Sequence, residues 1–280
     1  MKVLVTGADG FIGSRLVRAL TDQGNQVTTH SLADGDLVRC PLPDWDVAHV
    51  IHLAARTFVP ESWENPRDFY ETNVMGTAAI LEFCRKREAS LTFLGTYIYG
   101  KPDRLPVSED HPTRPNTPYN HSKLMAEELT RFYSQQFGVK TTVLRPFNVF
   151  GPGQRAIFLI PHIIRQVVDP DCSAIEVADL KPRRDFLYIE DLISAILLTL
   201  KPCGWAVFNI GAGRSYSVQE IIDAAQSAAG TSKPYRSTGQ ERPAELDDVV
   251  ADISKARREL GWGPRVSLSE GLSRMVQSAR

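Results

Sequence analysis

The chain has 280 residues, is 42% hydrophobic, and sets 32 Lys and Arg against 33 Asp and Glu for a formal net charge of −1. Such a length and apolar content bury a full core without staples, and the even charge excludes the global basic field that non-specific nucleic-acid binding needs. No apolar run nears the roughly 20 residues of a membrane helix: residues 193–200 are too few, and the stretch 158–163 is broken by Pro161 and His162.

In chain order, Met1-Lys2 leads straight into Val3-Leu4-Val5-Thr6, which reads as a strand; this leaves no room for a signal peptide and predicts a cytoplasmic protein. Gly7-Ala8-Asp9-Gly10-Phe11-Ile12-Gly13 follows at once and opens a helix over 11–23. Glycines three apart let the backbone turn tightly and approach a pyrophosphate, whose charge is favoured by the free N–H groups and dipole of a helix N-terminus. Gly7, Gly10, Phe11, Ile12 and Gly13 are therefore predicted to hold a nicotinamide dinucleotide. The second strand, 26–30, ends Thr29-His30-Ser31. A carboxylate for the ribose is expected roughly 20 residues past the glycines; the strand end offers neither that nor an Arg for a 2′-phosphate, so NAD and NADP both stay open. Asp36-Leu37 either reaches the adenine amino group or occupies a turn.

A third strand over 49–53 follows after only about 20 residues, too few for a full crossover helix. His49 and His52 lie on it at a spacing that puts them on opposite faces, so no metal site is expected. Cys40, Cys84, Cys172 and Cys203 are scattered and read as reduced and structural. Helical patterns over 67–88 and 118–137 then alternate with strands over 91–95 and 141–145, and a later strand spans 206–210. The alternation predicts an α/β protein, a doubly wound parallel sheet of the Rossmann fold. After Arg145 the chain turns rich in Pro and Gly, then offers helices over 190–200, 217–229 and 254–260, which places a smaller C-terminal α/β substrate lobe there. The expected division is 1–146 with about 186–213 for the dinucleotide, and 147–185 with 214–280 for the substrate.

Tyr119-Asn120-His121-Ser122-Lys123 opens the 118–137 helix behind Asn116-Thr117-Pro118, which supply capping side chains and a first-turn proline. A spacing of four puts Tyr119 and Lys123 on one face. A phenol with a pKa near 10 is a poor base at neutral pH; a neighbouring ammonium and a helix N-terminus favour its phenolate, which makes the pair a candidate general acid/base.

The glycine loop, His52-Leu53-Ala54-Ala55, Asn73-Val74-Met75-Gly76-Thr77, Tyr99-Gly100, Tyr119 to Lys123, Arg145-Pro146-Phe147-Asn148-Val149-Phe150-Gly151-Pro152-Gly153-Gln154 and Arg184-Asp185-Phe186-Leu187-Tyr188-Ile189 occur in the order typical of extended short-chain dehydrogenase/reductases. Over nearly its whole length the chain resembles the NAD-dependent epimerase/dehydratase family. Thr57 to Ser62 and the short second crossover look most like GDP-4-keto-6-deoxymannose reductases, and UDP-sugar 4-epimerases are also similar.

The resemblance implies that Leu53, Ala54, Ala55 and Pro146 line the cofactor, that Asn73 holds the active-site network, and that Asn148 touches the nucleotide-sugar diphosphate. Arg184 and Arg242 match positions that clamp the pyrophosphate; ordinary surface salt bridges are their alternative. It also implies a homodimer through a four-helix bundle. One position departs from the pattern: counting back from Tyr99-Gly100, the catalytic Ser/Thr slot holds Gly95, with Thr96 next along. Either Thr96 substitutes or the hydroxyl is missing. Thr96 is followed by Tyr97-Ile98, without the acidic residue of the dehydratases, which disfavours a 4,6-dehydratase. The expected reaction is hydride transfer at C4 of a nucleotide sugar, by a reductase of an NDP-4-keto-6-deoxyhexose first and a 4-epimerase second, with a dinucleotide-binding protein lacking turnover as the reading of another class.

Overall fold

The computed structural model describes residues 1–202, 204–240 and 244–280; the expectations attached to Cys203 and Arg242 fall outside them. The first half runs β1 (Lys2–Thr6), α1 (Gly13–Asp22), β2 (Gln26–His30), β3 (His49–His52), α2 (Val59–Glu64), α3 (Pro66–Tyr70), α4 (Gly76–Arg87), β4 (Ser90–Leu94), α5 (Pro118–Phe137) and β5 (Thr141–Pro146). The second half runs β6 (Asn148–Phe150), α6 (Leu159–Val168), β7 (Ile175–Val177), β8 (Arg183–Tyr188), α7 (Ile189–Leu198), β9 (Trp205–Ile210), β10 (Ser215–Ser217), α8 (Val218–Ala229), β11 (Tyr235–Ser237), β12 (Asp248–Val249) and α9 (Leu268–Ala279).

Six strands form one sheet in the order β2-β1-β3-β4-β5-β9, every pairing parallel. Helices cover both faces, so β3 and β5 are buried along their whole length, as expected of strands in a doubly wound sheet. Strand order reverses between β1 and β3, which leaves a crevice outside the carboxyl ends of these strands where such folds bind ligands. A smaller sheet of order β10-β8-β12, with β6 beside β8, stands next to α6, α8 and α9.

Three expectations change. Residues 186–188 finish β8 in the smaller sheet, so the return to the dinucleotide layer begins with α7 at Ile189, which packs on α1. The helix expected over 67–88 is α3, a wide π turn over Glu71–Met75 and then α4. Residues 256–260 likewise close as a π turn. The short second crossover is as expected, with a single 3-10 turn at Leu32–Asp34 among residues 31–48.

His49 and His52 serve opposite faces of the sheet. His49 bonds Ser90 and Thr92, and His52 bonds Thr6 and Thr77. Burial pushes both imidazoles down, to about 4 and about 3, so both are neutral structural groups at physiological pH.

Asp185 ties the two sheets' loops together. Its buried carboxylate accepts the N–H groups of Ala212 at 2.6 Å, Gly213 at 2.9 Å and Ala251 at 3.1 Å. Burial pushes its pKa up from 3.8 to about 6, against the pull of those three donors. Because the folded value is the higher one, this group's contribution to stability is full below about pH 4 and is lost as pH rises through about 6. The stability of the native chain relative to Asp185→Asn should therefore fall between pH 4 and pH 7 in urea midpoints; a rise would mean that the three donors outweigh burial.

Candidate active site

The glycine loop owes its path to close backbone packing. Gly7 has a φ of +67°, and a Cβ there would stand 2.9 Å from the Ala54 nitrogen. A Cβ on Gly13 would stand 2.1 Å from the Gly7 carbonyl oxygen. No side chain caps the start of α1 at Ile12, and the Ser14 N–H is taken by the Gly10 carbonyl at 3.1 Å; a helix N-terminus without a side-chain cap favours an anion. Ala54 closes the other wall, its N–H donating to Thr6 Oγ1 at 3.3 Å. These residues fit a dinucleotide diphosphate: the absence of Cβ at Gly7 and Gly13 lets the loop pack tightly against Ala54 and the Gly7 carbonyl, which draws the backbone in at the start of α1 where a helix N-terminus favours an anion.

Across the crevice, Thr117 caps α5 by accepting the Asn120 N–H at 3.0 Å, with Pro118 in the first turn. Tyr119 and Lys123 lie one turn apart on this helix, next to Phe69 and Phe93. The Tyr119 ring meets Phe69 edge-on at 6.3 Å, and Lys123 Nζ stands 4.5 Å above the Phe93 ring. The Thr96 side chain lies close enough to the Tyr119 hydroxyl to favour its ionised form. A Cβ at Gly95 would instead approach the Leu144 carbonyl at 3.2 Å and the Glu127 carboxylate at 3.7 Å. Thr96 is thus the hydroxyl brought to Tyr119, whereas position 95 faces the far side of α5.

Burial pushes the Tyr119 phenol up to about 12, with the nearby Thr96 side chain pulling the other way. Burial likewise pushes the Lys123 ammonium down to about 7, opposed by Glu127 one turn on. Both charged forms are disfavoured here by desolvation, so the protein's own groups hold the pair close to neutrality.

Asn73 sits in the π turn and is buried. Its Nδ2 donates to Ser122 Oγ at 2.9 Å and to the Arg56 carbonyl, and its Oδ1 accepts the Arg56 N–H. Ser122 in turn donates to the Tyr119 carbonyl at 2.8 Å. Thr77 donates to the Asn73 carbonyl and bonds His52, which bonds Thr6. One hydrogen-bonded chain therefore runs from β1 to the first turn of α5. The sequence reading missed Thr6 and His52 in this role, because register brings them together across 46 residues.

The other predicted residues are placed as follows. Leu53 follows β3 directly and Pro146 ends β5. Asn148 donates to the Asp185 carbonyl at 3.2 Å and accepts from the Tyr97 hydroxyl at 3.4 Å. Arg184 pairs with Glu245 and donates to the Leu246 carbonyl at 2.6 Å, so the structure shows it in an ion pair. Asp36 occupies a turn, accepting the Val38 N–H with its side chain and the Cys40 N–H with its carbonyl. Leu37 packs on the core beside Leu4.

A doubly wound sheet with a glycine cradle on one side of its crevice and a Tyr-Lys pair on the other defines a dinucleotide-dependent oxidoreductase site. Comparison with known proteins agrees. The family model described as GDP-mannose 4,6 dehydratase matches residues 25–275. The UDP-glucose 4-epimerase of Lactobacillus helveticus is 34% identical, with 95% of this chain and 92% of that protein covered. The GDP-6-deoxy-D-mannose reductase of Pseudomonas aeruginosa is 31% identical, covering 97% and 94%. Among solved structures, RMD from Pseudomonas aeruginosa complexed with NADPH superposes with a TM-score of 0.91 at 28% identity, covering 99% and 98%. The Thermus thermophilus UDP-glucose 4-epimerase complex with NAD gives 0.91 at 29%, covering 100% and 99%. The chain belongs to the NAD-dependent epimerase/dehydratase family of extended short-chain dehydrogenase/reductases, and is an enzyme of that family.

Proposed function

We propose that the chain binds NAD or NADP in the crevice and moves hydride reversibly at C4 of a nucleotide-diphosphate sugar, first as a 4-epimerase. The observation that carries the chemistry is the Thr96–Tyr119–Lys123 cluster facing the glycine cradle. Tyr119 exchanges the proton of the C4 oxygen, Thr96 fixes the direction of its hydroxyl, and Lys123 in its charged form stabilises the phenolate. The nicotinamide, when bound, supplies the hydride acceptor or donor. Asn73, through Ser122, holds the first turn of α5 so that the phenol points into the crevice. Asn148 and Arg184 stand on the lobe side, in a place to meet the sugar diphosphate, and Arg184 would exchange Glu245 for it. Tyr97-Ile98 supplies no acid after Thr96, which keeps the 4,6-dehydratase reading out of favour despite the description of the family model.

The epimerase reading is supported by the similarity to UDP-glucose 4-epimerases. The second reading, a reductase of a 4-keto-6-deoxyhexose, is favoured by the abbreviated crossover and by the similar GDP-6-deoxy-D-mannose reductase. Incubation with UDP-glucose and NAD, followed by NMR of the sugar, should give the C4 epimer without net consumption of cofactor. Stoichiometric oxidation of NADH or NADPH by a nucleotide-linked 4-keto-6-deoxyhexose would select the reductase. Silence in both assays would overturn hydride transfer at C4.

The same reading includes a homodimer through α4 and α5. These helices pack side by side; α5 exposes Met125 and Phe132, the latter 52% accessible, and the π turn leading into α4 exposes Met75, large apolar groups to leave in water. Sedimentation at micromolar concentration should show a dimer, and a monomer there would refute it.

A further inference from the structure

Resting on the function proposed above, we infer that His52 is a positioning residue, whose imidazole ties the Ala54 wall of the cofactor crevice to the α5 turn that carries Tyr119. The observation behind it is a buried chain of hydrogen bonds in which each proton has one place to go. Thr6 and His52 are register partners on β1 and β3, and Thr6, His52, Asn73, Thr77 and Ser122 are all buried.

The direction of the chain follows from Thr77. A threonine hydroxyl has one proton, and that of Thr77 goes to the Asn73 carbonyl at 2.6 Å. In its 3.2 Å contact with His52 Nε2, Thr77 can therefore only accept, so Nε2 carries the ring proton. Burial, reinforced by the Lys123 ammonium, keeps the imidazole neutral, which leaves Nδ1 as an acceptor. The Thr6 hydroxyl then donates to Nδ1 at 2.7 Å, and its remaining capacity accepts the Ala54 N–H at 3.3 Å. Beyond Thr77, the Asn73 side chain donates to Ser122 Oγ, and Ser122 donates to the Tyr119 carbonyl. Every donor thus points from the cofactor wall towards Tyr119. The opposite tautomer would leave Nε2 facing a hydroxyl with no proton to give, an unpaired acceptor in a buried setting. A protonated ring would set a second positive charge against Lys123. Only the neutral Nε2–H form joins the two walls.

Nitrogen NMR of the histidine rings tests the chain in the native protein, with His52 assigned by its loss on substitution. It should show one neutral Nε2–H tautomer throughout about pH 5 to 8, the range in which an ordinary imidazole titrates; an Nδ1–H tautomer, or titration within that range, overturns the assignment. Two variants then cut the chain on either side of the ring. His52→Asn sets an amide oxygen where Nδ1 stands and keeps the Thr6 bond, whereas His52→Gln sets an amide nitrogen where Nε2 stands and keeps the Thr77 bond. With dinucleotide binding followed by nicotinamide fluorescence and kcat read at saturating cofactor, His52→Asn should bind within about twofold of native and lose about tenfold in kcat. His52→Gln should do the reverse, weakening binding about tenfold and holding kcat within about twofold. A histidine that only supports the fold would lower the melting temperature in both variants and move the two readouts together, which overturns the positioning role and leaves hydride transfer intact. A native chain that binds neither NADH nor NADPH overturns the proposed function, and this role with it.

Discussion

Tyr119→Phe should lower kcat by about 10²- to 10⁴-fold, the usual contribution of a positioned general acid/base, with dinucleotide affinity nearly unchanged. The substitution removes the hydroxyl on which Thr96 acts and keeps the ring that packs on Phe69, so packing and fold are conserved. Thr96→Val, which deletes the partner hydroxyl at similar volume, should give a smaller loss in the same parameter. Steady-state rates with the substrate identified in the epimerase or reductase assay, together with a cofactor titration, distinguish the effects. A Tyr119→Phe enzyme with native kcat would remove Tyr119 from the chemistry, and one that no longer binds cofactor would make it a binding residue.

Arg145→Met should destabilise the protein by about 3–5 kcal/mol, the loss found when one partner of a buried ion pair is removed. Arg145 and Glu127 have side chains only 6% accessible each. The guanidinium donates to Glu127 from Nε at 2.9 Å and from Nη2, and to the Tyr99 hydroxyl at 2.7 Å. Tyr99 passes the connection to Asn209 at 2.6 Å, so β5, α5 and β9 meet at one polar cluster inside an otherwise apolar layer. Without the arginine, Glu127 loses its hydrogen-bonded partner in a buried setting and keeps only the Lys123 ammonium one turn away. Replacing both residues by apolar ones removes that penalty, so Arg145→Met with Glu127→Leu should recover most of the loss. Urea midpoints of the two single variants and the double variant measure the coupling; additive effects would show that the pair does not act as a unit. Glu127 also pulls the Lys123 ammonium upward from one turn away, so the cluster that fastens α5 to the sheet also shapes the charge of the proposed Tyr119-Lys123 pair.

Local patterns were enough for the doubly wound order. Each of the six principal strands is a short apolar run between turn residues, and strand and helix periods are set by neighbours in the chain. Glycine spacing gave the cradle for the same reason: a turn's backbone demands are local. Tyr119 and Lys123 were legible because four residues of helix put them on one face, and Thr117-Pro118 announced where that helix starts.

What depended on tertiary structure is whatever joins residues distant in sequence. The choice of Thr96 over Gly95 follows from the orientation of consecutive backbone units at the end of β4, one facing Tyr119 and the other Leu144 and Glu127. The Thr6–His52–Thr77–Asn73 chain and the Arg145–Glu127 pair arise from sheet register and helix packing. Sequence by itself determined the elements, the path of the glycine loop and the placement of Tyr119 and Lys123 on one helix face, because propensity, periodicity and capping act over a few residues. The partners that orient that pair, and the environment that moves its proton affinities, were decided only when packing excluded water and left each buried donor to find an acceptor from another part of the chain.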